Sequence, residues 1–156
     1  MRDRFFGYGF FGAAAVVLLC ACSMVAMAGR ASAQKSLPNP VLVFAGAEFY
    51  TASGQQLTRY SYFVFNSTSY PDALFAAAPA LPPCGANTNS SRTWVDLFDQ
   101  NGKRLYGFCA LGKSDDLNTI WFALPADQIP PSYIYIEMND RQTNIKYKSN
   151  LADTVM

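Results

Sequence analysis

The strongest constraint on the fold is a series of short strand-forming runs, each bounded by turn residues. Val, Ile, Phe, Tyr and Trp are concentrated in these runs, whereas Gly, Pro, Asn and Asp separate them. The Asn101-Gly102 pair between two of the runs is a strong hairpin signal. The pattern predicts seven strands, at 41–50, 57–66, 92–98, 104–111, 118–124, 132–138 and 145–149.

Seven short strands without a long helix predict an all-β domain. We expect a seven-stranded antiparallel β-sandwich of the fibronectin III or immunoglobulin-like type, with a small β-barrel as the alternative. A parallel sheet would need crossover helices, and none is predicted. Trp94 and Tyr133 occupy places where such sandwiches carry a buried tryptophan and a tyrosine corner.

The N-terminal segment has the order of a secretory signal peptide. Arg2 and Arg4 precede an uncharged apolar stretch, and Ala31-Ser32-Ala33 has the small-residue pattern of a cleavage site. We therefore expect cleavage after Ala33 and a secreted or periplasmic protein. Two alternatives remain: a lipoprotein anchored at Cys22, from the lipobox-like Leu19-Cys20-Ala21-Cys22, and an uncleaved membrane anchor.

The expected organisation is a signal peptide at 1–33, a linker at 34–40, the β-sandwich at 41–150 and a frayed tail at 151–156. Removal of the signal takes away three arginines and one aspartate, which changes the net charge from +1 to −1. The chain has no basic block, so nucleic acid is not an expected partner. Contact with a membrane is expected only through the signal or a lipid on Cys22.

Cys84 and Cys109 remain after cleavage, and an even pair in an oxidising compartment predicts a disulfide. A metal or redox pair is the weaker alternative, because the sequence has no C-x-x-C spacing and no histidine to complete a zinc site. We therefore expect no metal site. No P-loop or G-x-G-x-x-G motif is present, and no cofactor is expected.

Catalysis has little support in the sequence. The absence of histidine removes the usual serine and cysteine triads. A hydrolase built on two carboxylates stays possible in principle, and we expect its candidates to be turn and strand-edge residues instead. These candidates are Glu48, Asp96, Asp99, Asp115, Asp116, Glu137 and Asp140.

The stretch 67–91 is the candidate binding loop, since long irregular segments in compact domains are often functional. A competing interpretation is that its apolar side chains cap an open end of the sandwich. Trp121 is a further candidate, because it would face outward if Ile120 and Phe122 face inward. The candidate contact residues are Tyr70, Leu74, Phe75, Leu81 and Trp121.

Three stretches, LPPCGANTNSSRTWV, KRLYGFCAL and IWFALP, together resemble small exported bacterial proteins with no assigned activity. The resemblance implies export and the sandwich fold, and it carries over no catalytic residue. The expected function is a non-catalytic binding or structural module whose partner is a protein or an envelope glycan. A small secreted enzyme inhibitor is the alternative, with the carboxylate hydrolase third.

The disulfide gives the first testable prediction. It would close a loop of about 26 residues, so Cys84→Ser should lower the free energy of unfolding by roughly 3 kcal/mol. Thermal unfolding of the oxidised proteins measures this, and the reduced parent is the control, expected to melt with the variant. An unchanged melting temperature for Cys84→Ser would contradict the pairing.

Overall fold

A computed structural model describes residues 36–154. The expected signal segment, with Cys22 and its cleavage sites, lies outside these residues. Within them no helix has the length and apolar content to cross a bilayer. The strands are β1 (Leu42–Ala52), β2 (Gln55–Val64), β3 (Thr93–Asp99), β4 (Arg104–Phe108), β5 (Ile120–Pro125), β6 (Tyr133–Asp140), β7 (Ile145–Lys148) and β8 (Ala152–Asp153).

The strands form two antiparallel sheets, and the expected all-β sandwich is confirmed. One sheet has the order β1-β2-β5, and the other has the order β4-β3-β6-β7. The two sheets do not close into one ladder, so the barrel alternative is wrong. The seven predicted strands are all present, and β8 adds a short pairing to β6 next to β7.

The core is built by strict alternation along the central strands. Val95 and Leu97 of β3 point into the interior beside Ile134, Ile136 and Met138 of the neighbouring β6. All five side chains are fully buried. Each of these side chains contributes roughly 1.5–3 kcal/mol through removal from water. Tyr62, Ile120 and Phe122 supply the facing layer from the other sheet.

The two ends of the sandwich differ. We call the end with the β1–β2 turn, the β3–β4 turn and the β5–β6 connection the turn end. The opposite end, which carries the segment 65–92 between β2 and β3, is the loop end. Three 3₁₀ turns lie at the loop end, at Ser67–Ser69, Asp72–Leu74 and Ser114–Thr119.

Two expected sandwich hallmarks are wrong. Trp94 lies on the outer face of its sheet, under the guanidinium of Arg141 at 3.9 Å, because Thr93 and Val95 take the inner positions. Tyr133 is 44% exposed and forms no tyrosine corner, since Ile134 occupies the buried position at the start of β6.

The terminal segments are more ordered than the sequence suggested. Ala152 and Asp153 pair with β6, and Thr154 is buried, so the expected fraying does not apply to these three residues. The expected linker also packs against the domain: Leu37 touches the core and Pro40 is buried. Backbone pairing orders the C-terminal segment, whereas side chains hold the linker: Asn66 donates to the Asn39 carbonyl at 3.0 Å and Tyr70 donates to the Pro38 carbonyl at 2.8 Å.

A partly buried ion pair fixes the loop end to β6. Arg92 donates to both carboxylate oxygens of Asp140, from Nε at 2.7 Å and from its terminal nitrogen at 2.6 Å. Asp140 also accepts from the Thr143 hydroxyl at 2.6 Å and the Gln142 amide at 3.1 Å. The Arg92 hydrogen bonds, with those from Thr143 and Gln142, lower the pKa of Asp140 from 3.8 to about 2.

This pKa gives a pH-dependent prediction. Because the pKa of Asp140 is lower in the folded state, its contribution is complete above about pH 4 and is lost as the pH falls toward about 2. Asp140→Asn should therefore cost about 2 kcal/mol near neutral pH, and the cost should shrink across that acidic window.

Urea unfolding at neutral pH and near the folded-state pKa measures both quantities. Asp115→Asn is the matched control, because its ion pair with Lys113 is exposed and contributes little. A cost for Asp140→Asn that does not change with pH would contradict this assignment.

Candidate functional site

The turn end contains an apolar cleft of about 560 Å³, which is within the usual size range of ligand pockets. One wall is the inner face of the β1–β2 hairpin, and the other is the β5–β6 connection. The side chains that line it are Phe44, Ala47, Phe49, Thr58, Tyr60, Ala126, Asp127, Gln128, Ile129, Pro130 and Thr154.

The tip of the β1–β2 hairpin extends past its neighbour β5. β5 ends at Pro125, which pairs with Leu57, whereas the hairpin continues to the pair Ala52 and Gln55. Ser53 and Gly54 close it as a two-residue turn with φ values of 50° and 78°, the type I′ geometry that suits a twisted hairpin. The hairpin side chains that line the cleft lie before that point, since Phe49 pairs with Thr58 and Thr58 pairs with Leu124 of β5. The cleft lies where the β5–β6 connection, residues 126–130, faces these side chains.

A β-bulge decides which side chains enter the cleft. The register of β1 against β2 shifts between Phe44 and Gly46, and Gly46 has a φ of 144°. In a regular strand Phe44 and Phe49 would point to opposite faces, since they are five residues apart. The extra residue at the bulge reverses the parity and places both rings on the inner side.

The floor of the cleft is continuous with the core. Tyr60 is buried and its ring stacks on Phe122 with the centroids 5.0 Å apart. Thr58, beside it, is also buried. The rim is the opposite: Phe49 is 80% exposed and Ile129 is 89% exposed. Two large apolar side chains thus line an opening that leads directly to buried aromatic rings.

The β5–β6 wall is held by backbone hydrogen bonds at both ends. The Ala126 amide donates to the Gln56 carbonyl at 3.0 Å, and the Gln128 amide donates to the Pro125 carbonyl at 2.9 Å. Thr154, after β8, donates its hydroxyl to the Pro131 carbonyl and its amide to Ser132 at 3.2 Å. These bonds preorganise the cleft, which lowers the ordering cost of binding.

The cleft is poorly equipped for acid–base chemistry. It contains one carboxylate, Asp127, whereas glycoside hydrolysis takes two. Among residues 36–154 no group of three metal-ligating side chains comes together. The arrangement suits the binding of an apolar group, with Asp127 as a single charge at the rim.

The seven candidate carboxylates are engaged elsewhere. Asp96 and Glu137 are cross-strand neighbours on the outer sheet face, and Arg104 and Lys146 pair with them at 2.7 Å each. Asp99 accepts from the amides of its own turn. Glu48 pairs with Arg59, Asp115 with Lys113 and Asp140 with Arg92, and Asp116 accepts from Gly112.

The candidate loop residues do not form a contact surface. Tyr70, Leu74 and Phe75 are buried, and Leu81 is half-buried, so three of the four cannot reach a partner. Tyr70 donates its hydroxyl to the Pro38 carbonyl at 2.8 Å, and burial raises its pKa to about 12. These side chains cap the loop end of the core, as the competing interpretation of the segment proposed.

The disulfide staples this cap to the second sheet. Cys84 and Cys109 are bonded, with their Cα atoms 6.2 Å apart, and Cys109 directly follows β4. Beside it, the Ser91 amide donates to the Cys109 carbonyl at 2.7 Å. The expected pairing is confirmed, and the exposed residues of the segment that it holds are small, polar or proline residues such as Pro79, Pro82 and Asn89.

Trp121 does face the outer side of its sheet. It lies opposite Ser61, is half-buried, and stacks on Tyr106 with the centroids 5.5 Å apart. A shallow polar groove of about 320 Å³ adjoins it, with Arg59, Asn118 and Thr119 among its lining residues. The structure therefore separates Trp121 from the other candidate residues.

The sequence did contain a signal for the cleft. A glycine inside a strand pattern, here Gly46, is a common sign of a bulge, and a bulge would have placed Phe49 inward.

Comparison with protein families, curated proteins and solved structures found no match in any of the three.

Proposed function

We propose that this protein is an exported, non-catalytic binding module that receives an apolar segment of a protein partner in the turn-end cleft. The observation that carries the proposal is the exposure of Phe49 and Ile129 at the mouth of a cleft with an aromatic floor. Exposed apolar side chains that meet around a cavity mark interaction sites in soluble proteins.

Export is supported by two features. Residues 1–33 have the order of a signal peptide, and the Cys84–Cys109 disulfide is compatible with an oxidising compartment. The strand orders, β1-β2-β5 in one sheet and β4-β3-β6-β7 in the five-stranded other, with β8 beside β6, support a fibronectin type III-like relationship. A structural staple far from the cleft fits a scaffold that must stay rigid outside a cell.

The loop 67–91 supplies rigidity in this proposal, not the contact. Its large apolar side chains are committed to the core. For the same reason the geometry gives less support to an inhibitor that plugs a cleft with this loop, because such a loop needs projecting anchor residues.

The cleft can be tested with Nile red, a neutral apolar probe whose emission rises in apolar surroundings. Phe49→Ser should weaken the binding of the dye at least several-fold, because it removes the largest exposed apolar surface of the cleft. Phe65→Ser is the matched control, since Phe65 is 73% exposed at the loop end. Equal effects of the two substitutions would count against the cleft.

An envelope glycan at Trp121 is a second candidate, favoured by the polar groove beside the Tyr106–Trp121 stack. The chain has two tryptophans, so Trp94→Phe leaves Trp121 as the only indole reporter. Soluble peptidoglycan fragments should then shift its emission in a saturable way, and Arg59→Ala should weaken the response. An emission that does not change over the titration would remove this candidate.

A further inference from the structure

The edge of β1 presents backbone groups on the side away from β2. In an antiparallel pair, alternate residues exchange hydrogen bonds across the ladder, and those between them point outward. Ala52 and Gln55 close a two-residue turn and form a hydrogen-bonded pair. Counting back from that pair, the amides and carbonyls of Thr51, Phe49 and Ala47 point to the outer edge.

Two hydrogen bonds support this assignment. The Gln56 carbonyl, opposite Thr51, accepts from Ala126 on the far side of β2, as a non-hydrogen-bonded pair requires. At the start of β1, the outward amide and carbonyl of Leu42 both bind the side chain of Asn150, at 2.8 and 3.1 Å. The chain thus caps the first part of its own edge.

The second part of that edge has no such cap. In the described part of the chain, no hydrogen bond from outside the hairpin reaches Ala47, Phe49 or Thr51. The side chains of Ala47 and Phe49 line the cleft. Natural proteins usually protect edge strands, because an uncovered edge beside exposed apolar side chains invites another strand.

We propose that a second copy of this chain covers the edge, by antiparallel pairing of β1 with β1 of the partner subunit about a two-fold axis at Phe49. The two three-stranded sheets would join into one sheet of six strands. This inference rests on the proposed function and names the partner of the same cleft. A two-fold interface uses one surface twice, and an antiparallel strand edge is complementary to itself.

Charge favours this register. The uncovered edge runs from Ala47 to Thr51, so an axis at Phe49 gives the longest overlap. It places Glu48 opposite Tyr50 of the partner subunit, so that no like charges meet directly across the new ladder. The net charge is +1 for the full chain and −1 after removal of residues 1–33, which gives little long-range repulsion between copies.

Apolar contacts complete the interface. The axis brings Phe49 against Phe49 of the partner subunit on the cleft side of the sheet. Ile129 stands at the same rim. These two side chains are the most exposed large apolar residues of the described domain, and the pairing removes Phe49 from water beside Ile129.

Sedimentation equilibrium of the mature protein, cleaved after Ala33, tests the proposal over a wide concentration range. We expect reversible dimers. Thr51→Pro removes an amide that points to the partner and not to β2, so it should weaken dimerisation at least tenfold. Thr51→Ala keeps the amide and is the matched control, expected to stay within about twofold.

A charge exchange tests the axis itself and does not depend on a proline being tolerated. A homodimer of the Phe49→Lys variant, or of the Phe49→Glu variant, would place two like charges together at the axis. Each variant alone should therefore be monomeric. An equimolar mixture should form a heterodimer, because lysine then meets glutamate. Phe65→Lys, at the loop end, should dimerise as the parent does.

Two results would overturn the inference: a parent protein that stays monomeric up to about 1 mM, or dimers that survive both Thr51→Pro and Phe49→Lys. A monomer that still binds Nile red through Phe49 would leave the proposed function intact and assign the cleft to a segment of a different polypeptide. A monomer without that binding would remove both.

Discussion

The register of β1 against β2 is the constraint on which the candidate site depends. The type I′ turn at Ser53 and Gly54 fixes the pairing at one end of the hairpin. Nearer the other end, the bulge between Phe44 and Gly46 places Phe44 and Phe49 on the same face of the sheet. A slip of one residue would turn Phe49 to the solvent side of the sheet. The backbone groups of β1 that now point to the outer edge would then pair with β2, and those that now pair with β2 would point to the outer edge.

The two ends of the sandwich solve the same problem in different ways. A sandwich of short strands leaves its core open at both ends, and the loop end is closed by Tyr70, Leu74 and Phe75. The disulfide and the Arg92–Asp140 pair hold that cap in place. Within residues 36–154 the turn end has no equivalent cap, and the cleft extends to Tyr60, whose ring stacks on the buried Phe122.

This asymmetry connects the stability of the loop end with the proposed function of the turn end. Side chains that were attractive candidates for binding, because they are apolar and lie in a long loop, are the ones that the core needs most. Rigid closure at one end allows the other end to keep apolar groups exposed without loss of the fold. The outer faces of both sheets carry ion pairs such as Asp96–Arg104, which keep those faces polar and leave the turn end as the apolar region.

The sequence by itself determined the strands, the sandwich class and the disulfide. The strands and the sandwich class follow from the local alternation of apolar residues and from the turn residues between them. The disulfide follows from the number of cysteines that remain in the domain. The sequence also suggested the outward face of Trp121, because a single regular strand has only two faces. It misplaced Trp94, because the choice between those faces depends on which neighbours fill the core.

Only the tertiary structure decided where exposed apolar side chains meet around a cleft. Whether Phe75 or Phe49 is exposed depends on what lies opposite each ring, and that is set by contacts between residues far apart in sequence. Phe75 meets the end of the core, whereas Phe49 lies on the edge strand β1, level with Leu124 of β5, and is 80% exposed. The bulge also reverses the face of β1 to which the following side chains point, and the alternation of residues in the sequence does not predict this reversal. The location of the cleft is therefore a property of strand register and of contacts between distant residues, not of composition.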